Sequence, residues 1–378
     1  MPDEYVDMIF TDPPYFLSND GISCSGGKKV SVNKGEWDRG TNFDEKHEFN
    51  RNWLRLAKKI LKPNGTIWIS GTLHNIFSVG VALEQESYKI LNNITWQKTN
   101  PLPNLSCRYF THSTETILWA RKIMNLKFDE TLAENYKSIS QKIRVMSEFW
   151  LIENLFCPCC GNLNIEKIKN NSPVADIFCG NCKEIFELKS KKNNIGSKIV
   201  DGAYHTMIER ININKNPQLF VMDYSADFFV KDLIFIPKFF FTSDIIEKRK
   251  PLSENARRAG WTGCNILYEK IPEQGKIDII RNGEEIELEK ILNSYSQTKK
   301  LHTENLNLRG WLLDVLNCVN KIKSETFTLQ DVYKFADFLK EKHSENKNIE
   351  AKIRQQLQFL HDKGFIEFIG NGNYRKLI

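Results

Sequence analysis

A chain of 378 residues, at roughly 150 residues per domain, argues for two or three domains rather than one. Hydrophobic residues at 41% with 11% aromatics can close real cores, and 26% charged residues with a mean hydropathy of −0.44 exclude a membrane protein and a mostly disordered one. A net charge of +6 permits nucleic acid as a partner without demanding it, and an N-terminus carrying Asp3, Glu4 and Asp7 lacks a secretory pattern, so a cytoplasmic, membrane-free protein is expected.

Residues 1–123 alternate strand and helix signals. Val6 to Phe10 is a short apolar run, and Phe49 to Leu61 carries apolar residues at helical spacing and stops at Pro63-Asn64-Gly65. Thr66 to Ser70 is again apolar and β-branched, which predicts an αβ section. The first strand ends in Asp12-Pro13-Pro14-Tyr15, where two prolines fix an extended loop at the carboxyl edge of a strand. There the Asp12 carboxylate and the Pro13 carbonyl can accept both hydrogens of an exocyclic amine, while Tyr15 stacks on a base taken out of its helix.

From Met124 the composition changes to a long amphipathic stretch through Ile143, Trp150 and Ile152, and strands are predicted at Leu219 to Met222 and Leu233 to Ile236. Five of the nine cysteines crowd between these segments. Cys157-Pro158-Cys159-Cys160 and Cys179-Gly180-Asn181-Cys182 form two C-x2-C pairs with 18 residues between, the spacing of a four-thiolate zinc knuckle. Cys159 and Cys160 both offer a thiol to the first pair, and the register favours Cys160. Cys24, Cys107, Cys264 and Cys318 are scattered and read as inert thiols.

Pro173-Val174-Ala175-Asp176 precedes Glu187-Leu188-Lys189 by a hairpin's length. Residues two apart on a strand share a face, so Glu187 and Lys189 point together. With Asp176 returning on a neighbouring strand, two carboxylates make a hard-oxygen seat for Mg2+, and Lys189 brings the charge that orients a water or steadies a phosphate. This is the PD-(D/E)XK nuclease pattern, and Cys179 and Cys182 lie inside the hairpin that joins its acids. Lys191 and Lys192 extend the basic face toward a phosphate backbone. Arg257-Arg258-Ala259-Gly260-Trp261 pairs cations with an indole, suited to backbone neutralisation plus apolar contact.

From Asn307 three helices are predicted, Trp311 to Ile322, Leu329 to Leu339 and Ile349 to Leu360, with a hairpin around Gly370-Asn371-Gly372-Asn373, a winged helix-turn-helix. Ile349, Ile353, Leu357 and Leu360 form the buried stripe of the third helix; Ala351, Lys352, Gln355 and Gln358 lie opposite and face the groove if the helix docks. Methylation of adenine N6 removes a donor and adds a methyl, so a methyl reader offers apolar surface there, from Ala351 or an adjoining aromatic.

Two resemblances follow. The Asp-Pro-Pro-Tyr stretch and residues 1–122 resemble part of a β-class GATC adenine-N6 DNA methyltransferase of the DpnII-system type. That resemblance implies an S-adenosylmethionine loop of the Asp-x-Phe-x-Gly-x-Gly kind near the C-terminus; the chain has none, so no site for that cofactor is expected, and the fragment is expected to fold incompletely and to be inactive. Residues 124–378 resemble the DpnI family of methyl-directed restriction endonucleases, through Asn171 to Asp176, Glu187 to Lys192, Asp201-Gly-Ala-Tyr204, Ala256 to Trp261, Arg309-Gly-Trp311 and Lys352 to Gln356. The resemblance implies Mg2+ on Asp176, Glu187 and the Leu188 carbonyl, Lys189 as catalytic lysine, zinc on Cys157, Cys160, Cys179 and Cys182, Trp261 in a DNA-reading loop, and blunt cleavage of GATC only where adenine is N6-methylated. Cys159 departs from the family's knuckle.

The expected architecture is a multidomain α/β chain: a truncated Rossmann-like methyltransferase fragment (1–123), a PD-(D/E)XK nuclease domain with a four-cysteine zinc site (124–306) and a winged helix (307–378), acting as a monomer on adenine-methylated duplex DNA. Translation from Met124 is a further expectation, since the nuclease resemblance starts there. The competing readings are an adenine-N6 methyltransferase or a bifunctional fusion, and a methyl-DNA reader that does not cut.

Overall fold

The structure is a computed structural model that describes residues 5–18, 20–25, 27–39, 42–101, 108, 110–162, 165–168 and 176–377. Cys107 and the Pro173-Val174-Ala175 half of the acidic motif lie outside the described residues. The chain divides into two compact units, residues 1–125 with 153–155 and residues 126–152 with 156–378.

The first unit runs β1 (Val6–Thr11), β2 (Ile22–Ser25), β3 (Lys28–Ser31), α1 (Phe43–Ile60), β4 (Leu61–Gly71), α2 (Ile76–Gln85), β5 (Tyr88–Gln97) and β6 (Thr114–Lys122). Its sheet has the order β1-β4-β6-β5, with β1 and β4 parallel across α1 and the other pairs antiparallel. Helix α1 starts at Phe43, earlier than the apolar spacing from Phe49 predicts, because the Asn42 side chain accepts the Glu45 N–H at 2.9 Å and caps it. Leu54 and Ala57 of α1 and Val79, Ala82 and Leu83 of α2 close over Ile67, Ile69, Leu118 and Ala120 of the sheet. Each such aliphatic side chain contributes about 1.5–3 kcal/mol by leaving water. A closed core on that face corrects the expectation of an incomplete fold there. The opposite face carries Phe10, Trp68 and Trp119 in one cross-strand row, the two indoles stacked at 4.7 Å, and leaves Met8 and Phe10 58% and 62% exposed.

The second unit continues with α3 (Ile139–Asn154), β7 (Glu166–Lys167), β8 (Ile177–Phe178), β9 (Ile185–Lys192), β10 (Lys198–Ala203), α4 (Tyr204–Asn212), β11 (Gln218–Tyr224), β12 (Val230–Ile236), β13 (Ile246–Lys248), β14 (Gly263–Leu267), β15 (Ile277–Arg281), β16 (Glu284–Glu285) and α5 (Leu288–Lys299). The helix expected from Met124 begins only at Ile139; before it Lys127 bridges Phe229, Phe128 packs on Trp150 and Tyr224, and a short 3-10 turn spans Glu130–Ala133. A seven-stranded sheet has the order β16-β15-β12-β11-β9-β8-β7, with β9 and β11 parallel. One face holds an aromatic pile, Phe186, Phe220, Phe235 and Tyr295, with successive centroids 5.2, 5.6 and 5.8 Å apart. By strand alternation Glu187 and Lys189 take the other face, where Met207 of α4 and Ile266 of β14 close over Glu187 and Leu219. β14 belongs to a small sheet of order β10-β14-β13.

The terminal elements are α6 (Leu306–Lys321), β17 (Thr326–Thr328), α7 (Leu329–Tyr333), α8 (Ala336–Lys342), α9 (Ile349–Asp362), β18 (Ile366–Gly370) and β19 (Asn373–Lys376). The single helix predicted from Leu329 to Leu339 is two: the Phe335 N–H bonds the Val332 carbonyl three residues back, a tight turn that ends α7. β17, unforeseen, makes the terminal hairpin a three-stranded sheet of order β17-β19-β18. Ile353, Leu357 and Leu360 are buried, Ile349 only half so. Arg309 of α6 is buried and donates to the Asn214 side chain at 2.8 Å and the Phe241 carbonyl at 3.4 Å, which ties the terminal helices to the larger sheet. Among the described residues no helix is long and apolar enough to cross a membrane.

Candidate active site

Two turns converge on four thiols. After α3 the chain folds tightly, the Gly161 N–H returning to the Cys157 carbonyl at 2.8 Å with Gly161 at φ +75°, a left-handed position that glycine adopts without strain. The turn between β8 and β9 repeats the device, with the Lys183 N–H on the Cys179 carbonyl at 3.0 Å. The Sγ atoms of Cys157, Cys160, Cys179 and Cys182 all lie within 4.8 Å of one another, with Cys157 to Cys182 at 3.6 Å and Cys160 to Cys179 at 3.7 Å. A tetrahedral zinc with bonds of ~2.3 Å needs sulfurs about 3.8 Å apart, so the quartet fits. The Asn162 amide donates to Cys179 Sγ and the Asn181 amide to Cys160 Sγ. Burial opposes the Cys179 thiolate, but the N–H groups of Cys182 and Asn181 and the Asn162 amide outweigh it and bring that thiol down to about 7. Cys159 stands outside the quartet beside Cys157, whose thiol it pushes up.

The same hairpin carries the acids. β8 and β9 pair antiparallel with Ile177 opposite Phe186, so one step back Asp176 faces Glu187. The Asp176 N–H bonds the Phe186 carbonyl at 3.0 Å, and Asp176 Oδ2 accepts the Leu188 N–H at 3.1 Å. Lys189 Nζ lies 2.6 Å from Glu187 Oε1, on the same face of β9. Burial raises Glu187; Lys189 pulls it down, Asp201 and Asp176 push it up, and it ends at about 7. For Lys189 burial favours the neutral amine, but Glu187 and Asp201 overcome it and hold the ammonium well above its ordinary value. Hard oxygens facing across a hairpin beside a fixed ammonium suit a divalent cation.

The basic residues divide. Lys192 is exposed, but Lys191 Nζ donates to the Ile195 and Lys198 carbonyls at 2.5 and 2.6 Å. The long Lys191 stem folds back to brace the turn after β9. Arg257 and Arg258 are exposed on the loop between β13 and β14, with Arg258 5.0 Å above the Trp261 ring. The Leu252 N–H bonds the Trp261 carbonyl at 2.9 Å and closes that loop. On α9, Ala351, Gln355 and Gln358 are exposed and Lys352 half-buried, donating to Gln355 at 2.8 Å. Gln356, between them in sequence, is fully buried.

In the first unit Asp12 sits just past β1, where its Oδ1 accepts the Tyr15 hydroxyl at 2.5 Å and the Ser70 hydroxyl at 2.6 Å. Burial and Asp12 together raise the Tyr15 phenol. Asn75 donates to the Pro14 carbonyl at 3.3 Å, and Pro13 is buried.

Residues 124–304 match the family model described as "DpnI: Dam-replacing family", and residues 307–376 match "DpnI_C: Dam-replacing HTH domain". The C-terminal two thirds of the chain belongs to the Dam-replacing family. Ahead of this Dam-replacing part, the N-terminal region is 78% identical over 122 residues to the type II methyltransferase M2.DpnII of Streptococcus pneumoniae, a match covering 32% of this chain and 46% of that protein. It is 76% identical over 119 residues to M2.LlaDCHI of Lactococcus lactis subsp. cremoris, covering 32% and 44%. The chain thus spans less than half the length of these curated relatives. Among solved structures, the M1.HpyAVI–SAM complex overlaps 35% of this chain and 52% of its own at 24% identity and a TM-score of 0.22, a level that identifies neither fold nor function.

Within the Dam-replacing part, three site neighbours carry no local sequence signal. Asp201 of β10 lies 2.5 Å from Lys189 Nζ. Arg144 of α3 reaches Asp176 at 3.2 Å and the buried Glu148 at 2.5 Å. Arg144 and Glu148 have the i,i+4 spacing of an ordinary helix pair, which hides their role, and Asp201 stood only as part of the Asp-Gly-Ala-Tyr run.

Proposed function

We propose that the chain is a methyl-directed type II restriction endonuclease that cuts duplex DNA at GATC where adenine is N6-methylated, with Mg2+ as its metal. The observation that carries this reading is Asp176 facing Glu187 across one hairpin, with Lys189 on the same face and two of the four clustered thiols, Cys179 and Cys182, in the hairpin's own turn. The nuclease part, residues 124–306, is then a PD-(D/E)XK domain, followed by a winged helix over 307–378. Asp176, Glu187 and the Leu188 carbonyl would hold the cation, which when bound polarises the scissile phosphate and makes a water acidic enough to attack. Lys189 keeps its proton and points its charge at the phosphate. Zinc on Cys157, Cys160, Cys179 and Cys182 holds the hairpin in register from outside.

DNA contacts are assigned to Lys191, Lys192, Arg257, Arg258 and Trp261 on the nuclease part and to Ala351, Lys352, Gln355 and Gln358 on α9, with one chain acting per duplex. Ala351 of α9 or an adjoining aromatic supplies the apolar surface a methylated adenine needs, and Trp261 lies in a DNA-reading loop. Asp12, Pro13, Pro14 and Tyr15 remain as a methyltransferase motif without activity. The test is incubation with Mg2+ and plasmids prepared with and without adenine methylation at GATC. Cutting of the methylated plasmid alone is expected; cutting of the unmethylated one, or of neither, overturns the reading.

A further inference from the structure

Lys189 is shared between two carboxylates that come from different sheets. Glu187, on its own strand, holds Nζ at 2.6 Å; Asp201, on β10 of the small sheet, holds it at 2.5 Å. Asp201 is buried, and its aim is fixed by backbone: the β10–β14 register shifts between Asp201 and Ala203, and the Gly202 N–H turns onto Asp201 Oδ1 at 2.6 Å. Such irregularities re-aim side chains. Cys264, opposite Asp201 in the ladder, gives its thiol to the Gly202 carbonyl at 3.5 Å, so no other cation or donor from that side chain competes for the carboxylate.

On the nuclease reading, Glu187 must give its oxygens to a cation while Lys189 stays charged beside it. If Glu187 were the lysine's one carboxylate, the ion pair would compete with the metal for the same atoms. We propose that Asp201 is a positioning residue that shares the Lys189 ammonium with Glu187, so that Glu187 is not the lysine's sole partner and can give its oxygens to the metal while the lysine stays charged beside the phosphate. The metal does not touch Asp201; the residue acts through Lys189.

The experiment titrates Mn2+ calorimetrically into the full chain and measures Mg2+-dependent cutting of the methylated plasmid. Asp201→Asn, which keeps an oxygen for the Gly202 N–H, is expected to weaken Mn2+ binding and raise the half-saturating Mg2+ about tenfold, with affinity for methylated duplex in EDTA unchanged. The pair Lys189→Met with Asp201→Asn removes both charges together and so folds even where the single variant does not; it is expected to bind Mn2+ no more weakly than wild type. Wild-type metal binding by Asp201→Asn overturns the proposal, as does a double variant that loses metal, because Asp201 would then be a ligand itself. Glu187→Gln, run beside them, separates the two ideas: if it binds Mn2+ like wild type, the metal-site reading fails, whereas its loss of metal with a wild-type Asp201→Asn sinks Asp201 alone.

Discussion

Asp12 and the pair Asp176–Glu187 both stand at the working edge of a β-sheet, yet they are built for different tasks. Asp12 is met by two neutral hydroxyls, those of Tyr15 and Ser70. Asp176 and Glu187 face one another and are met by cations, Arg144 and Lys189. A carboxylate met only by hydroxyls, here both on Oδ1, is a hydrogen-bonding group with room left to accept from another donor. Two carboxylates brought face to face need positive charge between them, and a divalent ion supplies it better than side chains can. The difference teaches that an acid at a strand end declares its chemistry by its partners.

The comparison breaks first at the second site. Glu187→Gln or Asp176→Asn is expected to cost several kcal/mol of transition-state stabilisation, about a thousandfold or more in cutting rate under single-turnover conditions, while zinc content stays at that of wild type. Retained cutting would remove the metal role. Next, Cys182→Ser is expected to lose zinc and to lower the melting temperature by about 20 °C or more, since a structural zinc contributes on the order of 10 kcal/mol to the fold it closes and each kcal/mol is about 2–4 °C in a domain of this size. Metal analysis and a thermal melt check it.

A smaller effect comes from pH. Glu187 is held at about 7 against an ordinary 4.5, so below neutrality a cation must expel its proton. The Mg2+ needed for half-maximal cutting should therefore rise by up to about tenfold per pH unit below 7, with proton release seen by calorimetry in two buffers. The sign for stability is the reverse of a paired carboxylate. The folded state favours the proton, so the metal-free protein loses this contribution as pH rises from 4.5 through about 7. The smallest effect sharpens the comparison: Asp12→Asn should leave cutting of methylated plasmid unchanged, and a loss there would join the two sites.

Much of the candidate site is legible locally. The thiol spacing names the cysteine quartet, and period-two alternation puts Glu187 beside Lys189. Asp201 is not legible, because its meeting with Lys189 depends on how β10 stacks over β9, a tertiary matter that no strand pattern encodes. Arg144 meets Asp176 for the same reason, across 32 positions. Lys191 shows the converse limit: alternation assigns its face, but a four-carbon stem chooses its own acceptors. The fold reads similarly, since the stripe of α9 follows from its 3.6 period, whereas the cap at Asn42 and the turn at Phe335 follow from single hydrogen bonds.

The small β10-β14-β13 sheet joins two things that sequence keeps far apart. Trp261 enters β14 directly, and β14 pairs with the strand that holds Asp201 against Lys189. If the loop touches a methyl group, the step from that base to the bond beside Lys189 is a fixed stride, as on a ruler. The site then needs no signal to pass between reading and cutting, because a duplex placed correctly at one end is already measured out at the other.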